Sequence, residues 1–172
     1  MLYRPIHRES VAEIELVASR MRLTLMEVLG HERGAEMYDM NWLINRVRWH
    51  LDPVNTKAEI FLAEAADQTI VGHTIVRVDL SPNPPEYPYQ QEHPRYGIFS
   101  TTYVVPELRR AGLANQLLEA GESWIRSQGQ CYAVTDTAAD NGKLQLLFEK
   151  RGYGIIVREG EMVRLGKSLT KE

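Results

Sequence analysis

The spacing of apolar positions changes several times along this chain, and each change predicts an element. Val11, Ile14, Val17, Ala18, Met21 and Leu25 recur at helical spacing. Ser10 and Glu13 form a capping-box pattern ahead of them, and Gly30 is placed to stop the helix. After His31, Glu32, Arg33 and Gly34 a second helix runs to about Leu51, with Met40, Leu43, Ile44, Val47 and Leu51 as its core stripe. Tyr38, Trp42 and Trp49 fall on another face of it. They suit either a helix packed between the core and a further element or dimer partner, or an aromatic wall of a ligand pocket. Residues 2–7 read as a short first strand, kept at an edge or ended by Pro5.

Beyond Asp52 and Pro53 the period shortens. Residues 59–65 and 69–78 are strand-like runs around Asp67 and Gln68, a hairpin in which Gly72 marks a bulge or a close approach. Residues 81–95 are rich in proline and aromatics, too long for an ordinary connection. A stiff flap over a cleft is the expectation, with a proline-rich recognition ligand as the other reading. Residues 96–105 form a central strand. From Gly112 to about Ser127 the helical period returns through Leu113, Leu117, Leu118, Trp124 and Ile125, and Gly129 ends it. A strand at 131–136 follows. A helix capped by Asp140 or Asn141 then carries Leu144, Leu147 and Phe148 and stops at Gly152. Two last strands, 153–158 and 162–165, join at Glu159 and Gly160. The order β-α-α-β-β-β-α-β-α-β-β predicts an α/β (α+β) fold, a mixed sheet with helices on both faces.

Composition narrows the class. With 172 residues, 44% hydrophobic and 25% charged, the chain suits one globular domain spanning 1–172. A net charge of −3 with dispersed Lys and Arg argues against nucleic acid. Cys131 is the only cysteine, so no internal disulfide forms and a reducing compartment is expected. No apolar run suits a bilayer span, and the first residues lack the apolar block of a signal peptide. The expectation is a cytoplasmic protein with no membrane partner. Nothing in the spacing points to a metal site.

The candidate chemistry lies at residues 103–115. A strand ends at Pro106, crosses Arg109 and Arg110, and enters a helix at Gly112. Helix starts carry unpaired N–H groups and the positive end of the peptide dipole. Glycine there lets an anion approach the backbone, and arginines add charge. The local physics is that of a phosphate cradle. A plain strand-to-helix turn with a solvated Arg-Arg pair is the bland alternative.

Two motifs favour the cradle. Arg109, Gly112 and Ala114 meet [Q/R]-x-x-G-x-[G/A], preceded by Tyr103, Val104, Pro106 and Glu107. About thirty residues on, Asn141, Leu147, Phe148, Gly152 and Tyr153 meet N-x-x-x-x-x-L-[Y/F]-x-x-x-G-[F/Y]. With both, in this element order, the chain resembles the GNAT N-acetyltransferase superfamily over nearly its whole length. The resemblance implies acetyl-CoA as co-substrate and direct transfer of acetyl to an amine-bearing small molecule or peptide. It implies that backbone groups of Tyr103, Val104 and Val105 bind pantetheine. N–H groups of Arg110, Ala111, Gly112, Leu113, Ala114 and Asn115, with Arg109, would hold the pyrophosphate. Asn141 would touch pantetheine, with Leu147 and Phe148 shielding the thioester. Dimers are common in the family, which makes a homodimer an expectation. The tail, from Ala133 to Arg158, also resembles aminoglycoside 6'-N-acetyltransferases, with Asp136 and Asp140 as acidic groups for a polycationic sugar.

The catalytic side chains depart from the pattern. Many relatives carry a tyrosine acid where Phe148 sits and a glutamate base where Ser100 falls. Neither residue here can do that work. Tyr103, Tyr132, Tyr153, Asp136 or water could substitute, and among the histidines His73 is the first candidate base. A GNAT-fold protein that binds acetyl-CoA and catalyses little is therefore a second reading. A nucleotide-binding domain is a third, weakened because neither G-x-x-x-x-G-K-[S/T] nor G-x-G-x-x-G occurs.

Overall fold

The structure, a computed structural model, describes residues 1–29 and 39–170. Its elements are β1 (Leu2–Pro5), α1 (Val11–Leu29), α2 (Met40–Leu51), β2 (Lys57–Glu64), β3 (Ile70–Val78), α3 (Pro88–Glu92), β4 (Gly97–Val104), α4 (Leu113–Ser127), β5 (Tyr132–Ala138), α5 (Gly142–Glu149), β6 (Gly154–Glu159) and β7 (Met162–Ser168). The strands form one sheet in the order β1-β2-β3-β4-β5-β7-β6. Only β4 and β5 run parallel, so the sheet is mixed, as the element order predicts, and mostly antiparallel, as the GNAT resemblance implies.

Alternation along the strands feeds two cores. Ile60, Leu62 and Ile75 meet Ile14, Val17, Ala18 and Met21 of α1 and Leu43 and Val47 of α2. On the opposite face Val76, Phe99 and Leu165 meet Leu118 and Ile125 of α4 and Phe148 of α5. Helix α4 presses on β4 through two glycines. A Cβ on Gly97 would stand 2.2 Å from Ile125 Cδ1, and one on Gly121 would stand 2.4 Å from Phe99 Cε1. Gly121→Ala should therefore overpack this seam and cost about 1–3 kcal/mol, read as a lower midpoint in urea.

Several local expectations take a different form in space. Ser10 does cap α1, its Oγ accepting from Glu13 N–H at 3.2 Å. Glu13 does not complete the box on Ser10. It accepts from His7 N–H at 2.9 Å and pairs with Arg4, which also reaches Glu64. The capping carboxylate thus ties α1 to β1 and β2. In the hairpin, Gly72 pairs with Ala63 and Ile70 with Glu64, so Val71 is the bulged residue beside the glycine. Gly72 is also a close approach: a Cβ there would lie 2.8 Å from Tyr103 O. Of the aromatic set on α2, Trp42 is 49% exposed, Trp49 stacks under Arg46 at 4.1 Å, and Tyr38 lies outside the described residues. His31 and Gly30 also lie outside them.

The proline-rich segment is a fastened cover instead of an open loop. It contains the single turn α3, which buries Tyr89 and Gln90. Tyr89 and Tyr96 pack over Val134 and Tyr132. Tyr87 donates to Glu159 at 2.6 Å, and Asn83 N–H donates to Pro94 O at 2.8 Å, closing the segment on itself. Proline stiffness gives no hint of this, because the anchors come from β5, β6 and β7.

Candidate functional site

The site begins where the sheet opens. β4 and β5 pair only at Gly97, Ile98 and Phe99 with Ala133, Val134 and Thr135. Both strands continue, β4 to Val104 and β5 to Ala138, without further pairing to each other. A bulge drives them apart. On β3 two steps separate Thr74 from Val76, whereas on β4 their partners Thr102 and Phe99 are three apart. The result is a splay with an unpaired backbone edge at residues 100–104, a template for an extended ligand to join as a strand. One of its groups is already engaged, Val104 O accepting from Arg109 Nε at 2.8 Å, and Val105 N–H just beyond it donates to Val71 O of β3 at 2.9 Å.

The splay leads to the start of α4. Pro106–Leu108 make one 3₁₀ turn, and the loop then takes two left-handed residues, Arg110 at φ 67° and Gly112 at φ 84°. Alternating left- and right-handed residues turn successive N–H groups toward one point, an anion-binding concavity. Gly112 caps α4 without any side-chain hydrogen bond, so the first-turn N–H groups of Leu113, Ala114 and Asn115 keep their capacity. Arg110, Ala111 and Gly112 are exposed. The two arginines divide. Arg109 turns back to Val104 O and to Glu27 of α1 at 3.1 Å, fixing the end of β4, while Arg110 stays at the surface.

Behind the splay stands α5. Asn141 caps it, accepting from Leu144 N–H at 3.4 Å, and its amide donates to Thr137 Oγ1 at 3.1 Å. That pair ties the helix start to the unpaired end of β5. Leu147 is half-buried, and Phe148 is 1% exposed, edge-on to Phe99 and Tyr153. Ser100 accepts from Arg77 at 2.9 Å.

The three expected catalytic side chains lie on the α1/α2 face. His73 and Tyr103 are partners across β3 and β4, with rings stacked at 6.3 Å. His73 is fully buried; its Nε2 lies 2.9 Å from Thr101 Oγ1, and its Nδ1 has no partner. Burial, then the charge of Arg20, pull the imidazole down to about 3. Asp136 stands on β5, across the splay, with both oxygens taken by Arg164 at 2.6 and 2.8 Å. Arg164 also donates to Tyr89 and Tyr96, so the far wall is a closed network.

His73 is not alone in being held neutral. His50 on α2 is buried, and burial pulls it down to about 4. Both values lie below the ordinary 6.5, so the folded state resists protonation while the unfolded chain accepts it. Their contribution is complete above pH 6.5 and is lost as pH falls toward 4 and 3. Denaturant melts at pH 7 and pH 5 should differ by about 2 kcal/mol for each histidine. Replacement of either by glutamine should shrink the difference.

Arg20 is the residue that the sequence pattern hides. On the flank of an amphipathic helix it reads as a solvated cation, yet its guanidinium carbon lies 5.6 Å from the Tyr103 ring centroid. Among the described residues no His, Cys, Asp and Glu cluster could hold a metal, and no helix is long and apolar enough to cross a membrane.

Comparison with known proteins bears on this architecture. No curated protein matches the chain by sequence. Solved structures match at low identity, where the likeness shows the fold. The PaiA N-acetyltransferase of Thermoplasma acidophilum, in complex with coenzyme A, aligns with a TM-score of 0.69 at 14% identity over 98% of this chain and 99% of that one. YncA of Salmonella typhimurium, with its cofactor acetyl-CoA, aligns at 0.67 and 12% over 100% and 95%. An N-acetyltransferase of Staphylococcus aureus Mu50 aligns at 0.66 and 14% over 98% of both chains. The model of the Acetyltransferase (GNAT) family matches residues 24–153, which hold both the splay and the helix start. The chain belongs to the acetyltransferase (GNAT) family, and so to the acyltransferases.

Proposed function

We propose that this protein moves an acetyl group from acetyl-CoA to a primary amine by direct attack. The observation that carries the reading is the continuity of the open β4 edge with the uncapped, left-handed entry to α4. An extended pantetheine arm would add to the edge, and its pyrophosphate would then meet the N–H groups of residues 110–115. The PaiA and YncA structures named above, which share this fold, hold coenzyme A and acetyl-CoA.

In this reading the thioester lies in the splay. The amine approaches from the α1/α2 face, where Thr101, Tyr103 and His73 stand. Its nitrogen bonds to the carbonyl carbon, the C–S bond breaks, and the proton lost by nitrogen balances the one taken by the departing thiolate. A β4 backbone N–H polarises the carbonyl, a donor placed before the charge develops. In this reading the Tyr103 hydroxyl or water serves the proton steps, and His73, buried and too weak a base at about 3, orients Thr101. Asp136 lies on the opposite lip, and its pairing with Arg164 makes that lip electrically balanced. For Asp136 that pairing weakens the aminoglycoside reading, while Asp140 is exposed with no ion pair among the described residues.

The test is release of free thiol from acetyl-CoA with a panel of primary amines. Release with at least one amine, and none without, is expected. Tight acetyl-CoA binding with no release on any amine would leave a binding protein instead. Preference for a nucleoside triphosphate over CoA would remove the cofactor assignment.

A further inference from the structure

Four guanidinium groups surround the open end of the splay on the α1/α2 face. Three are answered. Arg109 meets Glu27 and Val104 O, Arg77 meets Asp79 and Ser100, and Arg164 meets Asp136. Arg20 is not. Its guanidinium makes no ion pair or hydrogen bond among the described residues, and its Nη1 is shut off from solvent without a partner. It lies over the face of Tyr103.

An unpaired guanidinium in this position is costly, because burial removes water from a charge and supplies no acceptor in return. Burial pulls its proton affinity down accordingly. The residue beside it gives no relief. His73 is held neutral in part by Arg20's own charge, and its Nδ1 also lacks a partner. Two polar atoms are therefore left open together, a cation and a neutral imidazole nitrogen, and both belong to the face opposite α4. Gly72 and Val104 mark that other face, where they meet Leu117. Tyr103, between them in sequence, points to α1.

We infer that Arg20 is an anion-recognition residue of the acceptor site, and that the acceptor carries a carboxylate as well as its amine, as an amino acid does. This rests on the amine-transfer reading above for the identity of the ligand. A carboxylate beside Tyr103 would pair with the Arg20 guanidinium, and charge-assisted pairs of this kind are about twice as strong as neutral ones. A site built for that group rejects the analogue lacking it, because the guanidinium is then left desolvated and empty. The phosphates of CoA are the other source of an anion within the molecule's reach.

Two measurements separate these. Thiol release is followed with matched α-amino acids, their carboxamides and the decarboxylated amines. Binding of N-acetyl amino acids and their carboxamides to the CoA-saturated protein is followed by thermal shift. Both are done on the natural protein and on Arg20→Gln, together with a CoA titration. At least one carboxylate should outdo its carboxamide by about tenfold or more. That preference should vanish in R20Q with CoA affinity unchanged. The inference is overturned if no carboxylate outdoes its amide in the natural protein, or if the preference survives R20Q. It is also overturned if R20Q weakens CoA binding instead. Carboxylate binding that depends on Arg20, without thiol release on any amine, would support the anion site while sinking the transfer reading.

Discussion

Gly112→Val should weaken CoA binding on the order of a hundredfold while leaving a folded protein. Space is not the reason, since nothing lies within 4 Å of a Cβ built there. Conformation is. Gly112 sits at φ 84°, where a side chain costs about 1–2 kcal/mol and a β-branched one more. The valine chain either holds that strain or relaxes its backbone. Relaxation turns the N–H groups of residues 112–115 away from a common point, and each charge-assisted bond lost there is worth about 1.5–3 kcal/mol. At about 1.4 kcal/mol per decade, one or two such losses reach a hundredfold. Gly112→Asn is the control, because asparagine tolerates the left-handed region. It should keep most of the affinity. Calorimetric titration with CoA reads both variants, and unchanged binding by the valine form would remove the phosphate from this loop.

The largest loss of stability should come from Glu122→Ala. Glu122 lies on α4 at 2% exposure and gathers Arg151 at 2.7 Å, Lys167 at 3.3 Å and the Tyr153 hydroxyl at 2.8 Å. The partners come from the turn after α5, from the residue just before β6, and from β7, so one carboxylate joins three segments. Burial pushes this carboxyl up, but hydrogen bonds from Arg151 and Tyr153 with the two positive charges outweigh it and hold it below the ordinary range. Burial, then Glu122, push the Tyr153 phenol up. Removing the carboxylate leaves two half-buried cations and a buried hydroxyl unmatched, a loss of about 3–5 kcal/mol. At about 2–4 °C per kcal/mol for a chain of this size, melting should fall by roughly 10 °C. The sign with pH follows from the depressed value. Glu122's contribution is present above the unfolded carboxyl's titration near pH 4 and is lost as pH falls through the folded one. Glu122→Gln should therefore flatten the acid limb of the stability curve. An unchanged limb would mean that the network carries little energy.

These two residues differ in how openly the sequence shows them. Gly112 stands in a motif, after a strand and before an apolar stripe, so its place at the start of α4 can be read from order and spacing. Glu122 is a lone acid in the middle of an amphipathic helix. Its partners are 29, 31 and 45 residues away. No local pattern links residues that meet only after β7 has crossed beside β5.

What the sequence determined by itself is what short-range physics controls. Periods of apolar residues placed the helices and strands, glycine and proline placed their ends, and the Arg109–Ala114 spacing located the start of α4. Element order then limited the sheet to a mixed one. Tertiary structure alone decided the rest. The splay opens where β4 bulges against β3 and its pairing with β5 ends at Phe99, a matter of register between residues more than twenty positions apart. The proline-rich cover is held by Glu159 and Arg164, far along the chain. His73 reads as a strand histidine open to a cleft, and packing makes it a buried, neutral one. Arg20 reads as a surface charge, and only the approach of α1 to Tyr103 turns it inward. Burial and pairing are sums over distant neighbours, and those sums set which charges at this site are satisfied and which one is left open.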